Sequence, residues 1–200
     1  MPRQPAMSEP RKARKRPRRM TAERLENIAL HYLGRYASSS GNLRRVLMRR
    51  VERAAAAHGD EPADGARLVD ALIARYLRSG LIDDRAYATQ KAASLQRRGA
   101  SRFGIRGKLR QKGVEADLID AAVTTLDDGG SGAGELAAAC ALIRRRRLGP
   151  CRAAGQRAAM RQKDLATLAR AGFGLDVARR ALAAPDRATL EAWGRGETDD

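Results

Sequence analysis

From Thr21 onward the apolar residues return every three or four positions, and that spacing decides most of what this chain can become. Behind Thr21, a residue suited to capping a helix, the stripe runs Leu25, Ile28, Ala29, Tyr32, Leu33 and Tyr36, the pattern of a helix with one buried face. The polar run "SSSGN" interrupts it, and Leu43, Val46, Leu47, Val51 and Ala54 carry a second stripe to His58 and Gly59. "DEPADG", residues 60–65, reads as a loop from its Pro, Gly and Asp content. Leu68, Ala71, Leu72 and Tyr76 mark a third helix. A fourth starts at Asp83 or Asp84 and runs to about residue 98, a fifth covers 102–112 with Gly113 as its stop, and a sixth covers 117–126. Past the Gly-rich run "DDGGSGAG", helices are expected over 135–147, 161–171 and 176–182. No segment alternates with the period of a strand, and only 4% of residues are aromatic, so the chain is expected to be all-α.

The pattern also repeats. A shift of 62 positions lays Leu33, Arg35, Ser39, Arg44 and Leu47 on Leu95, Arg97, Ser101, Arg106 and Leu109, and a shift of 59 lays Arg102, Leu109, Gly113, Asp117 and Ala122 on Arg161, Leu168, Gly172, Asp176 and Ala181. Such self-similarity implies related helical units in tandem. The expected organisation is a basic, disordered tail over 1–20, units over 21–61, 62–126 and 135–184, a flexible linker over 127–134 and a C-terminal tail over 185–200.

Charge points to the partner. A formal net charge of +17 and a pI near 11.2 call for something anionic, a nucleic acid or an acidic protein groove. With so few aromatics, phosphate contacts are a better fit than base stacking. The candidate basic surface comprises Arg44, Arg45, Arg49 and Arg50 in the first unit, and Arg97, Arg98, Arg102, Arg106, Lys108, Arg110 and Lys112 in the second. Arg144, Arg145, Arg161 and Lys163 extend it into the third. Within it Arg102, Arg106 and Arg110 fall on one helix face, away from Ile105 and Leu109. A solvated helix face is the plainer reading of such a run, but its recurrence on matching helices favours a binding surface, since like charges repeated on one face are costly without a partner.

Nothing suggests catalysis, a metal or a cofactor. "FGIRGKL" lacks the first Gly of a phosphate loop and has Leu109 where Ser or Thr would meet magnesium. His31 and His58 have no Cys or Ser partner in view, and Asp83 and Asp84 precede a helix as caps do. Cys140 and Cys151 are too few for a zinc cluster and read as reduced thiols. No apolar run is long enough to span a bilayer, and a cytoplasmic protein is expected.

The stretch "GLIDDRAYATQKAASLQRRGASRFGIRGKLRQKGV" resembles the central signature of the RecX family of bacterial regulatory proteins. The matching positions are Gly80, Leu81, Ile82, Asp83, Asp84, Tyr87 and Ala88, then Arg97, Arg98, Ile105, Leu109, Lys112 and Gly113. "YLGRYASSSGNLRRVLMRRV" and "RQKDLATLARAGFGLDVARRAL" resemble the family's first and third repeats. The chain departs from the family pattern at Gly99-Ala100, where Gly-Pro is usual, and at Gly107, which sits inside the fifth helix and is expected to bend or fray it. The resemblance implies an elongated array of three tandem three-helix repeats, acting as a monomer. It also implies binding in the groove of a RecA–DNA filament, with contacts to RecA and to DNA phosphates, and restraint of recombinase, ATPase and co-protease activity without chemistry of its own. The alternative from another class is a sequence-independent nucleic-acid-binding protein of the nucleoid or ribosome.

Overall fold

The computed structural model describes residues 17–126 and 132–197; most of the expected tail, the first five residues of the expected linker and residues 198–200 lie outside them. All regular structure among the described residues is helical, and its apolar side chains gather into three separate cores.

The first core joins α1 (Ala22–Leu33), α2 (Ser40–His58) and α3 (Pro62–Arg78) around Leu25, Leu43, Leu47, Val51, Val69 and Tyr76. The hydroxyl of Thr21 caps α1 by accepting from the Arg24 N–H. Ser39 caps α2, and Gly59 ends it in the left-handed region at φ 69°. Two expectations fail here. Residues 62–65 are not loop: Pro62 occupies the first turn of α3, where its fixed φ suits a helix and its missing N–H costs nothing. Gly65 lies against Val51 so closely that a Cβ would come within 2.3 Å of its Cγ1. Because α3 therefore buries its stripe on α1 and α2, the boundary expected at 61/62 falls instead just past Ile82, which belongs to the same core. The end of the expected tail is also ordered, since Met20 packs on this core, Pro17 accepts a hydrogen bond from His58 Nε2 at 2.6 Å and Arg19 pairs with Asp60 at 3.0 Å.

The second core, Ala88, Ala92, Leu95, Ile105, Leu109, Val114, Ile119, Ala122 and Val123, joins α4 (Asp84–Arg97), α5 (Arg102–Gln111) and α6 (Ala116–Thr124). The expected bend at Gly107 is absent. α5 runs unbroken through it, because Ile105 and Leu109 on either side are fully buried and hold the turn.

The third core is the largest. It joins α7 (Ala133–Arg146), a single 3-10 turn (Gly149–Cys151), α8 (Ala154–Arg170), α9 (Leu175–Leu182) and α10 (Arg187–Gly194). α8 starts seven residues before the 161 expected, over Ala, Gly and Gln positions that carry no apolar stripe. The expected C-terminal tail contains α10, capped by Asp186 through the Thr189 N–H and anchored by Leu190, which is 1% exposed. α7 is apolar nearly all round because it packs on α9 and on α10. Asp164, also 1% exposed, clamps this unit: it accepts from Arg152 Nε and Nη2 at 2.8 and 2.7 Å and from the Gly149 N–H at 2.8 Å. Burial alone would raise the Asp164 carboxyl, but these three donors hold it below the ordinary carboxylate range.

The repeat read from the sequence has a physical counterpart. Leu47, Leu109 and Leu168, which superpose under the two shifts, are each fully buried in the second helix of their units. Ser39 and Ser101 cap α2 and α5. Gly113 and Gly172 follow the last turns of α5 and α8 at φ 72° and 87°.

Candidate functional site

The three second helices, α2, α5 and α8, carry most of the basic residues singled out above, and two copies of one joint hold them end to end. At the first joint the Ser39 hydroxyl caps its own helix and also donates to the Lys112 carbonyl at the end of α5. At the second, the Ser101 hydroxyl caps α5 and donates to the Ala171 carbonyl at the end of α8, at 2.6 Å. Each joint adds a carboxylate from the next unit's first helix. Asp84 accepts from the Ser40 N–H at 2.7 Å and from its hydroxyl, and Glu135 accepts from the Arg102 N–H at 3.1 and 3.3 Å. Both acids thus satisfy an orphan donor at a helix N-terminus, where negative charge is favoured by the helix dipole. Each positive helix end also meets the negative end of its neighbour.

This divides the Asp-Asp pair of the sequence signature. Asp83 caps its own helix through the Ala86 N–H at 2.9 Å; Asp84 reaches back to the preceding unit. Both acids read as caps in the sequence; Asp84 does not cap its own helix, and neither its reach to Ser40 nor the role of Glu135 was legible, because a first-turn acid is favoured by the helix dipole without a partner. Of the other signature residues, Ile105 and Leu109 are fully buried, Tyr87 packs on the second core and Gly113 supplies the positive φ that closes α5.

The basic residues separate by partner. Arg44 makes a two-point pair with Asp70 of α3, its Nε at 2.6 Å. Arg106, its counterpart one unit on, pairs with Asp120 of α6 at 3.1 Å. Arg45 donates to the Gln111 carbonyl at 2.8 Å across the first joint, and Arg145 donates to the Arg98 carbonyl across the second. Arg102 lies 3.7 Å from Glu135. The expected stripe Arg102, Arg106 and Arg110 is therefore not uniform: its first two members are tied to neighbouring helices. Arg49 and Arg50 on α2, Lys108 and Arg110 on α5, and Arg161 and Lys163 on α8 are exposed, and their side chains make no hydrogen bond or ion pair to another described residue. Arg97 and Arg144 are likewise exposed, the side chains of Arg98 and Lys112 have no such partner, and all four lie near the joints.

The two cysteines are free thiols. Burial pushes the Cys140 thiol up to about 11, so it stays protonated and unreactive near neutral pH. No helix among the described residues is long and apolar enough to cross a membrane.

Residues 83–123, the span of α4 to α6, match the family described as "RecX, second three-helix domain". This agrees with the packing boundary past Ile82. "Regulatory protein RecX" of Myxococcus xanthus is 44% identical over 169 residues, covering 84% of this chain and 89% of the relative. The protein of the same name from Agrobacterium fabrum is 29% identical over 157 residues, covering 78% of this chain and 80% of the relative. No solved structure matches the chain significantly. With its central unit matched by the family's own three-helix domain and a relative aligned along nearly its whole length, the chain belongs to the RecX family of regulatory proteins.

Proposed function

We propose that this protein restrains RecA recombinase, ATPase and co-protease activity in DNA repair and the SOS response by lying in the groove of the RecA–DNA filament as a monomer in the cytoplasm. The observation that carries the reading is the set of unpartnered cations on three helices chained end to end: Arg49 and Arg50, Lys108 and Arg110, Arg161 and Lys163. A filament presents anionic surface along its length, and contacts too weak to hold singly gain from being tethered on one chain. The remaining basic residues near the joints, Arg97, Arg98, Lys112, Arg144 and Arg145, extend the same surface. The reading requires no catalytic group and no cofactor, and DNA enters it through its phosphates.

The test is RecA ATPase on single-stranded DNA, titrated with the parent chain and with the triple variant Arg49→Glu, Arg110→Glu, Lys163→Glu. Each reversal removes an attraction and adds a repulsion, while exposed residues of this kind change stability by about 0.5 kcal/mol or less each. Inhibition should be lost with helicity retained. Undiminished inhibition by the folded variant sinks the reading. Inhibition that vanishes once free DNA is in excess returns the protein to the class of sequence-independent nucleic-acid binders.

A further inference from the structure

A cleft of about 410 Å³ lies where α4, α7 and α10 approach one another, at the edge of the third core. Its floor is small and apolar: Ala137, Ala138 and Ala141 of α7 with Leu190 of α10. Three arginines from three different helices or their ends, Arg97, Arg144 and Arg195, also line it. The one acid among the lining residues, Glu191, is already held by Arg187 at 2.8 Å. Its carboxyl lies below the ordinary range, first through that hydrogen bond and then through the nearby charges of Arg187, Arg144 and Arg195. The side chains of Arg97 and Arg144 have no hydrogen-bond or ion-pair partner among the described residues. Arg195 has one, and it is instructive. The chain's own Glu197 takes its Nε and Nη2 at 2.8 and 2.9 Å, as a two-point carboxylate does.

The chemistry of this cleft differs from that of the exposed cations on α2, α5 and α8. Among the described residues no aromatic side chain lines it, so a nucleobase entering it would find none of them to stack on. An alanine floor beside these arginines accepts instead an aliphatic side chain flanked by carboxylates. Apolar pockets with a few fixed polar groups are the common form of a specific binding site, and planar guanidinium matches carboxylate in two-point geometry.

We infer that the cleft between α4, α7 and α10 is a docking site for an acidic peptide segment of a partner protein, which seats one aliphatic side chain on Ala137, Ala138, Ala141 and Leu190 and sets carboxylates on Arg97, Arg144 and Arg195. Glu197 is then an internal competitor for Arg195. The inference does not depend on the filament reading: the cleft is assayed with a peptide alone, and loss of RecA inhibition in the triple variant above leaves it untouched.

The experiment measures the fluorescence anisotropy of a labelled peptide, Glu-Asp-Leu-Glu-Asp, titrated with the full chain. Changing Arg97 and Arg144 together to Ala should weaken binding roughly ten-fold or more with helicity unchanged, since both side chains are exposed. Replacing the peptide's Leu by Ser should weaken it with the parent protein, which reads the apolar floor without altering the fold. Glu197→Gln should tighten it by freeing Arg195. An unlabelled pentathymidylate at equal concentration should leave the peptide bound. Absence of binding, equal binding by the double variant, indifference to the Leu, or displacement by the oligonucleotide at equal concentration would each overturn the inference.

Discussion

The two joints of the array use the same serine and the same acidic clasp, yet they differ in what surrounds them. At the first, α2 and α5 meet backbone to backbone: a Cβ on Gly41 would lie 2.5 Å from the Gly113 carbonyl oxygen and 3.0 Å from its Cα. At the second, the position equivalent to Gly41 is Phe103, 75% exposed, whose ring lies over Gly172. The second joint also has direct packing of α4 on α7, made possible by Gly99, where a Cβ would lie 2.6 Å from the Leu142 nitrogen. Nothing comparable joins α1 to α4; between them lies an open groove with Leu30, Tyr36 and Leu81 exposed. The first joint is therefore a polar clasp over a tight glycine contact, and the second a polar clasp reinforced by apolar packing. A repeat can conserve its hydrogen bonds while changing what backs them.

The largest expected effect separates the joints at their tightest point. Gly→Ala inside a helix ordinarily stabilises by about 1 kcal/mol. Gly41→Ala should do the reverse, by about 2 to 4 kcal/mol, since the new methyl meets backbone that cannot yield and pushes the Ser39, Asp84 and Arg45 bonds apart. Phe103→Ala at the second joint should stay within about 0.5 kcal/mol, as an exposed side chain does. Urea unfolding of both variants measures the contrast, and equal costs would erase the distinction.

A middle-sized effect probes the clasp itself. Asp84→Ala leaves the Ser40 N–H without its acceptor and should cost about 1 to 3 kcal/mol. Glu135→Ala should cost less in the geometry of its joint, because α4 and α7 remain packed. Amide exchange at the start of α2 and of α5 reads the two directly: faster exchange is expected at Ser40 in the first variant than at Arg102 in the second. The reverse order would show that the apolar contact adds nothing to the second joint. The smallest effect lies between the joints. Gly107 faces open space, so Gly107→Ala should raise stability by up to about 1 kcal/mol and leave both joints unchanged, visible as a modest increase in the urea midpoint.

Much of the fold was legible because a buried helix face must be apolar at its own period. The stripes around Leu25, Leu43 and Leu109, the caps at Thr21 and Asp83, and the stop at Gly113 all follow from that requirement and from the orphan groups of helix ends. Elements without such a stripe were missed: the first turns of α8 expose most of their residues, and α10 rests on little more than Leu190 and Trp193. Within the candidate site, sequence identified the basic positions and could not separate those already paired, since Asp70 and Asp120 lie on other helices and approach Arg44 and Arg106 only after packing.

The sequence by itself determined that this chain is helical, repeated and strongly cationic, because period, self-similarity and composition are properties of order along the chain. Tertiary structure alone decided that α3 belongs to the first unit, that Asp84 and Glu135 clasp the unit before them, and that Arg97, Arg144 and Arg195 share one cleft. Each of these depends on which surfaces meet in space, and a helix stripe states that a face is buried without naming the face that buries it.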